Sequence, residues 1–221
     1  VSLIPILFAY AKMNVNTPVI QETNKKPLHE IREGISEARK NPIIFGNLLA
    51  AGIVSSLILN MGTYGPLFAD RVLHKGLDGF GSILFAAGAG SMASGILSAT
   101  SSTHYSQRFI FTAAGLCGLL LMAVSYIFWT IPALFMFALL GFATILFMVN
   151  CNTAIQMASP PEYLGRIMGL YTFVFLGSAP FGSLLVSAII EYMGTSLGLA
   201  IVGLFEIILI LLTAKTYSKQ K

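Results

Sequence analysis

Apolar residues form six long runs in this sequence, and short polar segments separate one run from the next. Each run is long enough to cross a bilayer as a helix, which takes about 20 residues. The pattern therefore predicts an all-α membrane protein. Its six transmembrane helices are predicted at residues 43–64, 80–100, 109–128, 131–157, 167–190 and 195–214.

One polar stretch, residues 12–42, precedes the six runs. After Pro27, which can open a helix, apolar residues recur every three or four positions, at Leu28, Ile31, Ile35 and Ala38. This spacing predicts a short amphipathic helix on the membrane surface, and a solvated linker helix fits the pattern equally well. The apolar run at 1–11 is too short to span a bilayer, and we interpret it as the end of a truncated transmembrane helix.

The six predicted helices divide into two sets of three, at residues 43–128 and 131–214. Because each set crosses the membrane three times, the second set enters from the opposite face. A 3+3 inverted repeat of this kind is the building plan of many secondary transporters.

Composition and charge agree with a membrane protein. Hydrophobic residues make up 56% of the chain and charged residues only 10%, whereas soluble domains carry about 25% charged residues. The net charge of +4 does not indicate nucleic-acid binding, because the basic residues lie in the loops. Eleven of the thirteen lie on the side of the 12–42 stretch and the C-terminal tail, 215–221. By the positive-inside rule, that side is predicted to be cytoplasmic.

Polar and aromatic residues within three of the runs suggest a substrate pathway. Amides at membrane depth are costly unless they meet a partner helix or a wet cavity. Stripes of such residues suit a small amphipathic organic molecule, and structural hydrogen bonding between helices explains each residue about equally well. The candidates are Asn60, Tyr64, Asn152, Gln156, Tyr171 and Phe175.

The second run carries small residues at steps of four, namely Ser82, Ala86, Gly90, Ser94 and Ser98. Small residues at this spacing let two helix backbones approach closely. Static packing is the simpler interpretation, although a sliding contact in a transporter needs the same smooth face.

Four residues near or within the fifth run are candidates for gating. Glu162 and Arg166 would form an i, i+4 pair at the cytoplasmic start of that helix. Gly177 and Pro180 can bend a helix or let a neighbour approach closely.

Glu206 is the one carboxylate well inside an apolar run. A mid-membrane acid is a candidate for proton coupling. The alternative is a hydrogen-bonded Glu on a peripheral helix, which the lack of a basic partner within the runs favours.

No catalytic or metal-binding pattern accompanies these residues. Cys117 and Cys151 lie in apolar runs, and the three histidines lie in loops. No Ser-His-Asp set and no phosphate-binding loop occurs. We therefore expect no enzyme activity, no metal and no cofactor.

Two stretches resemble the C-terminal half of the major facilitator superfamily. They are NMGTYGPLFADRVLHKGLDGFGSILFAAGAGSMASGIL at 60–97 and PPEYLGRIMGLYTFVFLGSAPFGSLLVSAIIEYMG at 160–194. The resemblance is closest to the drug and siderophore exporter branch, which includes enterobactin exporters and macrolide efflux permeases. Its most specific parts are the Gly-rich eighth helix and the Glu-x-x-Gly-Arg start of the eleventh.

The resemblance implies a bacterial inner-membrane transporter of about twelve helices, in which this half and a missing N-terminal half rock about a central cavity, driven by proton exchange. Residues 1–11 would end the sixth helix, and 12–42 would form the central cytoplasmic loop. Helices seven, eight, ten and eleven would border the cavity, and nine and twelve would face lipid. The charged loop motif after the eighth helix is degraded to SATSSTHYSQR, with Arg108 as its only clear basic residue.

Three functions remain open at this point. The first is proton-coupled efflux of small amphipathic molecules, such as drugs or siderophores, by alternating access. The second is uptake by a permease of the same fold. The third is a six-span scaffold protein that transports nothing.

Overall fold

A computed structural model describes the backbone of residues 27–100 and 106–219, and the side chains of 33–100 and 106–217. The predicted helix end at 1–11 and residues 12–26 of the predicted loop lie outside the described residues.

The described residues form eight helices and contain no strand. The helices are α1 Pro27–Lys40, α2 Pro42–Leu57, α3 Met61–Arg71, α4 Gly76–Thr100, α5 Gln107–Val124, α6 Thr130–Ala158, α7 Leu164–Met193 and α8 Thr195–Lys219. Six helices are long and apolar enough to cross a membrane, and α2 and α3 together make the first of them. The prediction of an all-α protein with six transmembrane helices is confirmed.

Two spans extend furthest beyond their predicted ends. The first span continues to Arg71 instead of ending at 64, and α8 continues to Lys219, through much of the predicted tail. Polar residues mark where a helix leaves the apolar layer, but they do not stop its backbone hydrogen bonding.

Asn41 separates α1 from α2 and connects both to α6. Its side-chain oxygen accepts a hydrogen bond from the Ile43 backbone N–H at 3.0 Å, and Pro42 occupies the first turn of α2. Both are standard signals for a helix start. The Asn41 side-chain amide also donates to the carbonyl oxygen of Ala158 at 3.1 Å, so the linker helix ends beside the C-terminus of α6.

The first span is broken between α2 and α3, at residues 58–60. The Asn60 side-chain amide donates to the carbonyl oxygen of Ser56, which the Asn60 backbone N–H would use in a continuous helix. The Tyr64 hydroxyl donates to the carbonyl oxygen of Ile58 at 2.9 Å. Side-chain groups therefore replace helical hydrogen bonds at the break, as irregular backbone at membrane depth requires.

The packing of the spans follows the predicted 3+3 inverted repeat. The second span of each set packs on the first span of the other, so that α4 lies against α6 and α7 lies against α2. The third spans, α5 and α8, pack on each other. Exchanging the two sets leaves these pairings unchanged, as a half of the major facilitator fold requires.

Glycines allow close backbone contact at each of the three pairings. A Cβ on Gly90 of α4 would overlap the carbonyl oxygen of Ala138 in α6, and a Cβ on Gly182 of α7 would overlap that of Ser56 in α2. Between α5 and α8, a Cβ on Gly118 would overlap the carbonyl oxygen of Gly203, and a Cβ on Gly203 would overlap that of Gly118. The small-residue stripe of α4 therefore packs against α6 within this bundle.

The spans differ in how much of their surface the bundle covers. Only 17% of the most apolar window of α7 and 22% of that of α4 is buried, against 56% for the first span. Large side chains remain exposed on both helices, including Phe85 on α4 and Phe173 and Phe181 on α7. Since α4 and α7 occupy equivalent places in the repeat, the bundle has two equivalent open apolar faces.

Candidate functional site

Four of the six predicted pathway residues come together where α6 meets α7. Asn152 and Tyr171 line one cleft of about 290 Å³. The Gln156 side-chain amide donates to the Asn152 side-chain oxygen, one turn away on α6. The Tyr171 and Phe175 rings stack along α7, with centroids 5.7 Å apart and planes 21° apart. The site combines amide groups on one wall with aromatic faces on the other.

The first span packs against α7 beside this site. The Ser55 hydroxyl of α2 donates to the carbonyl oxygen of Phe175 in α7, and the missing side chain of Gly182 brings α7 against the Ser56 carbonyl. The predicted aromatic stripe of α7 is therefore held against α2 at two levels. A shift of α7 along or away from α2 would alter the cleft directly.

Asn60 and Tyr64 lie at a different place, the break of the first span. Both fall within the first predicted run, 43–64, but the Asn60 side-chain amide donates to the Ser56 carbonyl oxygen and interrupts that helix. Tyr64 is fully buried, and its hydroxyl donates a hydrogen bond to the backbone carbonyl oxygen of Ile58. Neither residue is among those that line the cleft at Asn152.

Arg166 has a different ion-pair partner from the predicted one. Its guanidinium lies 2.9 Å from the Glu33 carboxylate of α1, and its positive charge also lies 5.6 Å from the centre of the Tyr163 ring. Gly34 contacts Arg166, which brings the α1 backbone close to α7. Glu162 lies exposed in the turn before α7. The expected helical pair between Glu162 and Arg166 does not form, because α7 begins only at Leu164.

The two remaining gating candidates lie in the middle of α7. Pro180 is exposed inside the helix, and a proline there removes one backbone hydrogen bond. Gly177 is partly exposed, and a Cβ added to it would meet no atom within 4 Å. The helix runs unbroken through both positions.

Glu206 lies apart from the cleft, between α8 and α5. Its side chain is fully buried, and neither carboxyl oxygen has a hydrogen-bond partner among the described residues. It lies against Gly118, where any side chain would overlap a carboxyl oxygen. Burying an ionised carboxylate without a partner is costly, so this acid stands out from the six other acids with described side chains, none of which is buried.

A second amide connection was not predicted. Asn47 of α2 is fully buried and donates to the side-chain oxygen of Gln107 in α5 at 2.9 Å. The Cys151 thiol of α6 donates to the backbone carbonyl of Asn47 at 3.4 Å. The sequence signal that could have indicated this contact is Asn47 itself, because an amide within an apolar run needs a hydrogen-bond partner.

The described residues offer no group of three or more His, Cys, Asp or Glu side chains that could hold a metal ion. Both described cysteines, Cys117 and Cys151, are free and buried.

A comparison with protein families identifies the chain. The family model described as Major Facilitator Superfamily matches residues 1–183. No curated protein matches the chain, and no solved structure does. The family match covers most of the sequence, and the helix pairing is that of half such a fold, so this multi-pass membrane protein belongs to the major facilitator superfamily of membrane transporters.

Proposed function

We propose that the chain forms one six-helix half of a proton-coupled exporter of small amphipathic organic molecules, with drugs or siderophores as the substrate class. The observation that carries the proposal is the cleft between α6 and α7, which the Asn152 amide lines from α6 and the Tyr171 ring lines from α7. Amides can bind the polar part of such a substrate and stacked rings its apolar part.

The second six-helix half is proposed to dock on the open faces of α4 and α7. These helices are the least buried spans, and large apolar residues cover them. In an alternating-access cycle, a substrate site is formed by helices at the contact between the two halves. The cleft at Asn152 is partly formed by α7, so relative movement of the halves would open and close it.

The gating proposal concerns the start of α7. Glu33 of the linker helix holds Arg166 there, and Gly34 packs against the same residue. Gly177 and Pro180, in the middle of α7, are the proposed bending points. Glu162 is exposed in the turn just before α7, and we propose that it interacts with other groups at this end of the helix.

The orientation follows from the loop charges. Eleven of the thirteen basic residues lie on the side of the linker and the C-terminal tail, so we propose that this side is cytoplasmic. The inner membrane of a bacterial cell is proposed from the resemblance to bacterial exporters.

Transport by the full-length protein tests the proposal. Cells producing the Asn152→Leu variant are expected to retain a fluorescent amphipathic dye at least about tenfold longer than cells with the unaltered protein, as the loss of a substrate hydrogen bond of 1.4 kcal/mol or more would give. Asn150→Leu is the matched control, because Asn150 donates to Leu146 of its own helix at 2.7 Å. Equal efflux by the Asn152→Leu variant, at equal protein level, would refute the site. Dye uptake in place of efflux would indicate a permease, and no movement by the unaltered protein would indicate a scaffold.

A further inference from the structure

A groove runs between α5 and α8 at the basic end of the bundle. Its volume is about 770 Å³, within the range of roughly 300–1,000 Å³ that is typical of ligand sites. It is distinct from the cleft at Asn152, because its walls belong to α5 and α8 whereas that cleft lies on α6 and α7. The proposed transport function makes no use of it.

One end of the groove carries a cation. Arg108 lines this end and is exposed, and its guanidinium has no ion-pair or hydrogen-bond partner in the described part of the chain. Next to it, the buried side-chain nitrogen of Gln107 has no acceptor among the described residues. None of the residues that line the groove is an Asp or Glu. This end therefore favours an anionic group.

The rest of the groove is apolar. Ile207 and Leu211 form one wall, and Gly115 leaves open space on the other, since a Cβ there would meet no atom within 4 Å. Tyr217 stands at the polar end and packs edge-on against Phe111, with ring centroids 5.9 Å apart. A Tyr at this depth is typical of the boundary between lipid tails and head groups.

The surfaces on both sides of the groove are suited to lipid. Leu116 and Leu119 on α5 are 42% and 49% exposed, and Leu212 on α8 is 55% exposed. A molecule that fits this groove has an anionic head at the membrane surface and a hydrocarbon tail beside these leucines.

We propose that the groove binds an anionic phospholipid of the leaflet at the basic end of the bundle. The phosphate lies at Arg108, and one acyl chain lies along Gly115, Ile207 and Leu211. Charge complementarity selects the head group, and the apolar walls accept the tail. Basic pockets between transmembrane helices at the cytoplasmic side are suited to such head groups.

Native mass spectrometry of the full-length protein tests this. The delipidated protein is titrated with phosphatidylglycerol or phosphatidylcholine of identical acyl chains. We expect the unaltered protein to retain phosphatidylglycerol at least threefold better. Arg108→Gln should abolish this preference without reducing phosphatidylcholine retention. Arg108→Lys should keep the preference, which separates loss of charge from misfolding. The matched control is Arg71→Gln, which alters an exposed arginine at the end of α3, the opposite end of the bundle.

A second variant tests the tail site. Gly115→Leu fills the open space, so it should reduce retention of both lipids by a similar factor. The proposal is overturned if the unaltered protein shows no preference for phosphatidylglycerol, or if Arg108→Gln retains the preference. It is also overturned if Gly115→Leu leaves lipid retention unchanged but dissociates a dimer, because the groove would then be a contact between two copies.

Discussion

Gly118 and Gly203 face each other across the contact of α5 and α8. A side chain on either glycine would overlap the backbone of the other. A Cβ on Gly118 would lie 2.7 Å from the carbonyl oxygen of Gly203, and a Cβ on Gly203 would lie 2.5 Å from that of Gly118. The contact is reciprocal, as it must be where a two-fold relationship pairs the third helix of each repeat with its counterpart.

A side chain at Gly203 should therefore weaken the bundle. We expect Gly203→Val to cost about 1–3 kcal/mol or more, because the two backbones would have to separate. The measurement is thermal unfolding of the purified full-length protein, followed by a thiol-reactive dye that reports exposure of buried cysteines such as Cys117. The control is Gly115→Ala, since a Cβ there meets open space. An unchanged melting temperature for Gly203→Val would contradict the contact.

The ion pair of Arg166 with Glu33 should tie the linker helix to the start of α7. Both side chains are about a quarter exposed, so the pair is expected to contribute at most about 1 kcal/mol. Arg166→Glu should increase protease cleavage beside α1 and slow transport, and the added change Glu33→Arg should restore both. Lys40→Gln is the control, because it breaks an exposed pair with Glu37 within one helix. Failure of the double exchange to restore either property would argue against the pair.

Tyr64 should be required for stability at the break of the first span. Tyr64→Phe leaves the Ile58 carbonyl without its donor, at an expected cost of about 1–3 kcal/mol. Thermal unfolding measures the loss. Tyr192→Phe removes a hydroxyl from a side chain that is 88% exposed, and it should have little effect. If both variants unfold at the same temperature, Tyr64 does not hold the break together.

Glu206 is the candidate proton-coupling acid, because it is the one buried acid among the described side chains. Glu206→Gln preserves its shape and removes its ability to exchange a proton. We expect at least a tenfold loss of transport driven by a pH gradient, with little change in substrate exchange at equal pH. Glu191→Gln, at an exposed position of α7, is the control. Full gradient-driven transport by Glu206→Gln would assign that carboxyl a structural role instead.

The sequence is sufficient to predict the number and approximate bounds of the spans, because the apolar layer requires about 20 residues of helix in each crossing. The start of α2 was equally readable, since Asn41 and Pro42 act through local geometry. The break at residues 58–60 was not, because it depends on the Asn60 side chain competing for one backbone carbonyl.

Long-range partners were the other failure. Arg166 and Glu33 are 133 residues apart, and nothing in either segment specifies the other. In contrast, helical periodicity is enough to put Asn152 with Gln156 on one face of α6 and Tyr171 with Phe175 on one face of α7, as the structure has them.

Accessibility of Asn152 to water tests the central claim most directly. The experiment uses the full-length protein with Cys117 and Cys151 replaced by Ala, and a single new cysteine labelled by a membrane-impermeant maleimide. The account predicts that Asn152→Cys is labelled and that substrate slows the labelling, whereas Leu212→Cys on the lipid-facing side of α8 is not labelled. If Asn152→Cys stays unlabelled under every condition while Glu162→Cys in the exposed turn reacts, the cleft is sealed and the transport site is not there.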